Sequence, residues 1–155
     1  MRKLLPAALV FGIVLAARAN PARADFGLGL FLGEPTGLDL KIGLGNRSGL
    51  DIVLGINTYH RNGYVNYGHL TYLVTPLVAH GDSVLVPLRF GIGGALFGTS
   101  DDIRFAIRAP FELALRFRRT PLEFYGELAL ALVFGTPNDN LVLDLQGGLG
   151  FRVFF

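Results

Sequence analysis

Long stretches of the chain alternate, residue by residue, between large apolar side chains and small or charged ones. Leu38, Leu40, Ile42 and Leu44 interleave with Asp39, Lys41, Gly43 and Gly45, and Leu50, Ile52, Leu54 and Ile56 with Asp51, Val53, Gly55 and Asn57. The longest run sets Ile103, Phe105, Ile107, Ala109, Phe111, Leu113, Leu115 and Phe117 against Arg104, Ala106, Arg108, Pro110, Glu112, Ala114 and Arg116. Phe124, Leu128, Leu130 and Leu132 oppose Glu123, Tyr125, Glu127, Ala129 and Ala131. Leu143, Leu145, Leu149, Phe151, Val153 and Phe155 oppose Asp144, Gln146, Gly148, Gly150 and Arg152. A period of two marks strands, whose successive side chains point to opposite faces. Turn chemistry near Pro35, Asn46, His60–Asn66, Gly81, Thr99–Asp102, Arg118–Pro121 and Thr136–Asn140 separates these runs. It predicts eight strands over about 26–34, 37–45, 49–59, 66–79, 84–98, 103–117, 122–135 and 141–155. An even count with short connections reads as an up-and-down meander. Pro110 is expected to remove one ladder bond without shifting the register.

The identity of the apolar face decides between two kinds of barrel. A soluble barrel turns aliphatic side chains inward, whereas a membrane barrel carries an apolar outer band around a polar interior. Here one face is almost wholly Leu, Ile, Val and Phe, and the other mixes charge with Gly and Ala. Eight strands enclose only enough space for side chains, which calls for small residues between large ones. The expected fold is all-β: an eight-stranded antiparallel up-and-down transmembrane β-barrel. Its interior is expected to hold Lys41, Arg89, Arg104, Arg108, Arg116 and Arg152 against Asp39, Asp51, Glu112, Glu123, Glu127 and Asp144. Six positive and six negative groups in a narrow lumen should pair, because an unpaired buried ion costs several kcal/mol.

Composition agrees with this picture. Hydrophobic residues make up 51% of the 155 and charged residues 17%, which excludes a disordered polymer. With no Cys, a disulfide scaffold, a thiolate zinc site and a cysteine nucleophile are excluded. Arg2 and Lys3, the uncharged apolar stretch from Leu4 to Ala17 and the small-residue pattern Ala22-Arg23-Ala24 read as a secretory signal peptide over residues 1–24, cut between Ala24 and Asp25. Ala17-Arg18-Ala19 is an alternative cut. The apolar stretch is shorter than the ~20 residues of a spanning helix. Removing residues 1–24 takes away Arg2, Lys3, Arg18 and Arg23 but no acid, so a formal charge of +2 becomes −2 over the barrel domain, residues 25–155. No basic patch remains for a phosphate backbone, so nucleic acid is not an expected partner.

The chain ends Gly147-Gly148-Leu149-Gly150-Phe151-Arg152-Val153-Phe154-Phe155. This resembles the C-terminal assembly signal of bacterial outer-membrane barrels, with Phe151, Val153 and Phe155 at alternate places. Over residues 25–155 the architecture resembles the small eight-stranded barrels typified by OmpX and the membrane domain of OmpA. The segment Gly27-Leu-Gly-Leu-Phe-Leu-Gly-Glu-Pro-Thr-Gly37 is similar to the first hairpin of a family of small outer-membrane barrels without assigned activity. The resemblance implies export through the secretory pathway and residence in the outer membrane of a Gram-negative-type bacterium. It implies contact with outer-membrane lipid and lipopolysaccharide, periplasmic chaperones and the barrel-assembly machinery during biogenesis, and a monomeric state. Both chain ends would face the periplasm. Tyr59, Tyr64, Tyr67 and Tyr72 would form an outer aromatic girdle, and Phe26, Phe117, Phe124, Phe151 and Phe155 an inner one. The loops are shorter than those of OmpX-type barrels, which weakens an adhesive role.

Catalytic material is sparse. Three His and three Ser (Ser48, Ser83 and Ser100) are all that a hydrolytic centre could draw on, and no His-x-Ser motif of lipid A deacylase barrels is present. His60, His69 and His80 read as interfacial or loop residues. Asp101-Asp102 and Asn138-Asp139-Asn140 offer oxygen ligands but read as turn chemistry. The expected role is a structural or surface-interaction barrel, not an enzyme, with no cofactor or metal and a lumen plugged by paired charges. A narrow pore for ions or small solutes is the alternative, and a soluble periplasmic lipocalin-like binder of apolar ligands a further one.

Overall fold

The computed structural model describes residues 26–57, 65–99, 103–134 and 141–155. The expected signal peptide with its cut at Ala24 and Asp25, Tyr59, Tyr64, His60, Ser100, and the oxygen clusters at 101–102 and 138–140 all lie outside the described residues. Eight strands follow in order: β1 (Phe26–Glu34), β2 (Thr36–Gly45), β3 (Ser48–Asn57), β4 (Val65–His80), β5 (Val84–Gly98), β6 (Ile103–Phe117), β7 (Leu122–Phe134) and β8 (Val142–Phe154). Each pairs antiparallel with its neighbour, and β1 pairs with β8 to close the barrel. No helix among the described residues is long and apolar enough to cross a membrane, which says nothing about crossing by strands.

The period-two pattern sorts the side chains as the strands dictate. Along β6 and β7 exposed and buried positions alternate almost without exception. The apolar phase points outward: Leu149 is 70% exposed, Ile92 63% and Leu54 61%. The charged and small phase points into the barrel, where Asp39, Asp51, Glu112, Glu123 and Arg152 are buried. Pro110 opposes Ala129, and the β6–β7 register runs unbroken from Phe105 to Arg116. Phe151, Val153 and Phe155 lie on the outward phase of the last strand, and the Phe155 amide donates to the Phe26 carbonyl at 2.8 Å. At this end, rings of Phe26 and Phe155 lie 6.0 Å apart, Phe117 and Phe124 6.3 Å, and Phe124 and Phe151 6.5 Å. The expected cluster of phenylalanines is therefore formed.

Two departures concern phase. The β4–β5 register slips between Val74 and Leu77, around Thr75 and Pro76, and a second irregularity falls between Gly43 and Gly45 in β2. Proline lacks the amide a ladder needs, and a bulge accommodates it at the cost of one residue of phase. The expected tyrosine girdle is not formed by Tyr67 and Tyr72. Tyr67 turns inward and is buried, while Tyr72 faces outward midway along β4.

At the loop end of the lumen, Tyr67, Ala95, Phe97, Ala106, Ala131 and Val133 form an apolar cluster, with Tyr67 stacked on Phe97 at 5.8 Å between centroids. The charged layer lies between this cluster and the end where Phe26 and Phe155 meet.

Candidate functional site

The interior charge network converges on Arg152 of β8. Its Nε donates to Asp39 Oδ2 at 2.5 Å and its Nη2 to Asp51 Oδ1 at 2.5 Å. Nη1 donates to Glu112 Oε2 at 2.8 Å and to Glu123 Oε1 at 3.2 Å. One guanidinium thus joins carboxylates from β2, β3, β6 and β7. Only arginine offers a rigid fork of five donors that suits this arrangement. The Tyr125 ring lies against it, 3.7 Å from Cζ to the ring centroid, and the Tyr125 hydroxyl donates to Asp39.

Arg89 of β5 forms the second node. Its Nη1 and Nη2 donate to the two Glu123 oxygens at 2.8 and 2.7 Å, a bidentate pair, and Nη1 also donates to Glu112. Lys41 Nζ adds a 3.4 Å contact to Glu112. Higher in the lumen, Arg108 Nη2 donates to Glu127 Oε1 at 2.5 Å. The Arg108 Nη1 also lies 2.7 Å from the His69 ring nitrogens, and His69 Nε2 lies 3.5 Å from Asp51 Oδ2. An arginine can only donate, so the ring nitrogen facing it accepts.

Glycine makes the space for these groups. In the strand registers Lys41 stands opposite Gly27, Arg152 opposite Gly29, Arg108 opposite Gly93 and Glu127 opposite Gly148. Each long side chain therefore enters the lumen beside a residue that occupies none of it. At Gly29 the reason is also local, since a Cβ would stand 1.8 Å from the Phe151 carbonyl oxygen. Gly150 serves the hub directly: a Cβ there would lie 2.3 Å from Tyr125 Cζ. Gly150→Ala is expected to push the ring off Arg152 and destabilise the fold by about 1–3 kcal/mol. Truncating the ring as well, in Gly150→Ala/Tyr125→Leu, should lower that penalty. A double-mutant cycle on denaturant midpoints measures the coupling.

Of the twelve charges expected inside, Asp39, Lys41, Asp51, Arg89, Arg108, Glu112, Glu123, Glu127 and Arg152 are buried and make the contacts above. Arg104 is buried at the loop end, opposite Phe97 in the register. Arg116 is partly buried at the opposite mouth, over the Phe154 ring at 4.1 Å. Asp144 accepts from Gln146 Nε2 at 3.2 Å, apart from the arginine nodes. His69 is a correction: it is no interfacial residue but a buried member of the network. Tyr67, expected at the outer girdle, instead donates to Gln146 Oε1 at 3.0 Å inside the lumen, and Tyr125, on the inward phase of β7, also belongs to the polar interior. Alternation did carry a signal for His69, because Tyr67, His69, Thr71 and Leu73 share the phase opposite Leu70 and Tyr72.

Chemically, this arrangement is a filled, cross-linked interior. Among the described residues no group of three metal-ligating side chains converges. Comparison with known proteins finds no matching family model, no matching curated protein and no matching solved structure.

Proposed function

We propose that the chain is an integral outer-membrane barrel of envelope or surface-interaction type, its lumen closed by the ion-paired network and without an enzymatic role. The observation that carries this reading is the inversion of polarity: apolar side chains cover the outside of a barrel whose acids and bases are buried within. Exposing such a coat to water costs about 25 cal/mol for each Å² of apolar surface. Contiguous apolar surface beyond a few hundred Å² marks contact with lipid or protein. A hydrocarbon phase covers every side of the barrel at once. Strands of 9 to 16 residues also fit, since a tilted strand needs about 9–11 to cross a bilayer core.

On this reading residues 1–24 are an export signal removed before Asp25. The alternating Phe151, Val153 and Phe155 would then be read by the barrel-assembly machinery, and outer-membrane lipid and lipopolysaccharide would contact the apolar band. No hydrolytic role is assigned. His69 is engaged with Arg108 and Asp51, and Ser48 pairs with Val74, five positions along β4 from His69.

The test joins two measurements on the expressed chain. The unboiled protein should migrate faster than the boiled one in detergent gels, and it should remain in membranes washed with carbonate. Release by the wash would overturn the membrane assignment.

A further inference from the structure

A cavity of about 220 Å³ opens at the end of the barrel where Phe26 and Phe155 meet. Lys41, Arg47, Arg89 and Arg116 line it, and no acidic residue does. Its apolar wall comes from Leu73, Val78, Leu85 and Phe154. We propose that this cavity binds a phosphate head group, taken either from free phosphate or from an amphiphile whose short apolar stub lies against that wall.

Three features of the fold support the assignment. First, both register irregularities of the barrel border the cavity: Gly43 and Gly45 line it from β2, and Thr75 from β4. Bulges bend strands and re-aim side chains, and they concentrate beside binding sites. Gly45 has a φ of 154°, which favours glycine, and a Cβ there would meet only the Ser48 Oγ at 4.0 Å. The position therefore leaves room instead of filling it.

Second, the walls are of unequal height. The Thr75 amide donates to the Arg47 carbonyl at 2.8 Å, which fixes the β2–β3 turn at that level, while β4 continues to His80. The cavity thus sits in a step between a short hairpin and a taller one, with exposed Arg47 on the low rim.

Third, the chemistry favours an oxyanion. Lys41 and Arg89 are held from below by Glu112 and Glu123 and form the cavity floor, so the assignment rests on the two rim arginines, Arg47 and Arg116, whose planar forks match phosphate oxygens in pairs. Arg116 is held over the Phe154 ring at 4.1 Å, a pose that orders the guanidinium beside the cavity. The volume is below the ~300 Å³ of common drug-sized pockets, so it suits a head group and not a whole lipid.

The experiment uses the folded full chain in a neutral maltoside detergent. Calorimetric titrations compare inorganic phosphate, lysophosphatidic acid and a monoacylglycerol with the same acyl chain. Saturable binding of a phosphate-bearing probe is expected, with the monoacylglycerol giving none. Arg47→Gln and Arg116→Gln should each weaken binding by about tenfold or more, the scale of one charged hydrogen bond. Binding of inorganic phosphate with that arginine dependence identifies free phosphate as the source. Binding of the lipid alone identifies the head group. Equal binding of lysophosphatidic acid and monoacylglycerol, no binding of either phosphate probe, or no change in Arg47→Gln would overturn the site. Arg47 lies on an exposed turn, so that variant remains informative should Arg116→Gln fail to fold. The lipid source rests on the membrane reading but the phosphate site does not, because carbonate release and phosphate titration are read separately.

Discussion

Replacing Arg152 by methionine is expected to cost the folded barrel about 3–5 kcal/mol, the range for breaking a buried ion pair from one side. Methionine keeps much of the length and apolar bulk of arginine, so the cost comes from the partners. Asp39, Asp51, Glu112 and Glu123 all contact this one guanidinium. Against those four carboxylates stand Arg152, Arg89 and Lys41, a formal balance of −1. Without Arg152 it becomes −2, and Asp39 and Asp51 lose their direct arginine contacts. Removing an acid moves the balance the other way: Glu123→Gln brings the group to zero and keeps a hydrogen-bonding side chain beside Arg89. That variant should lose markedly less stability. Arg152→Lys should fall between the two, since an ammonium keeps the charge but lacks the fork that reaches four strands. Denaturant midpoints of the folded protein in micelles, compared across the three variants, test the order. Equal losses for Arg152→Met and Glu123→Gln would contradict the hub assignment.

The second large effect concerns the opposite face. Leu128 is the middle residue of β7, 59% exposed, and stands between Phe111 and Gly147 in the registers. If lipid covers this face, Leu128→Arg places a cation near the bilayer midplane at a cost of about 2–4 kcal/mol. If water covers it, an exposed substitution of this kind changes stability by no more than about 0.5 kcal/mol. The folded fraction recovered in lipid vesicles, relative to the parent protein, separates these outcomes. A variant that folds as well as the parent would argue for a solvated face and against the membrane reading.

Most of the strand plan was legible because alternation and charge reinforce each other. In β6 every second residue from Arg104 to Arg116 is charged or small, and a slip of one place would exchange the two faces. The lumen was harder to read. Arg152 and Asp39 are 113 residues apart, and their contact exists only because the barrel closes. Alternation shows which side chains enter the interior, but not which meet across it. Around Thr75 and Pro76 the phase slips by one, so the pattern beyond Val74 had to be corrected by geometry. His69 and Tyr67 were misplaced for another reason. Imidazole and phenol rings are at home at an interface as well as in a polar interior, and composition gives neither location priority.

The charged layer and the Tyr67–Phe97 cluster occupy successive levels of the same lumen. They act as two barriers in series that yield to opposite insults. Phe97, Ala106 and Val133 line their level with apolar side chains that hold no ion pair to lose, the kind of constriction that opposes water by dewetting. Severing the arginine contacts would therefore loosen one stopper and leave the other seated, so on the membrane reading proposed above weakened folding need not bring leakage through the lumen.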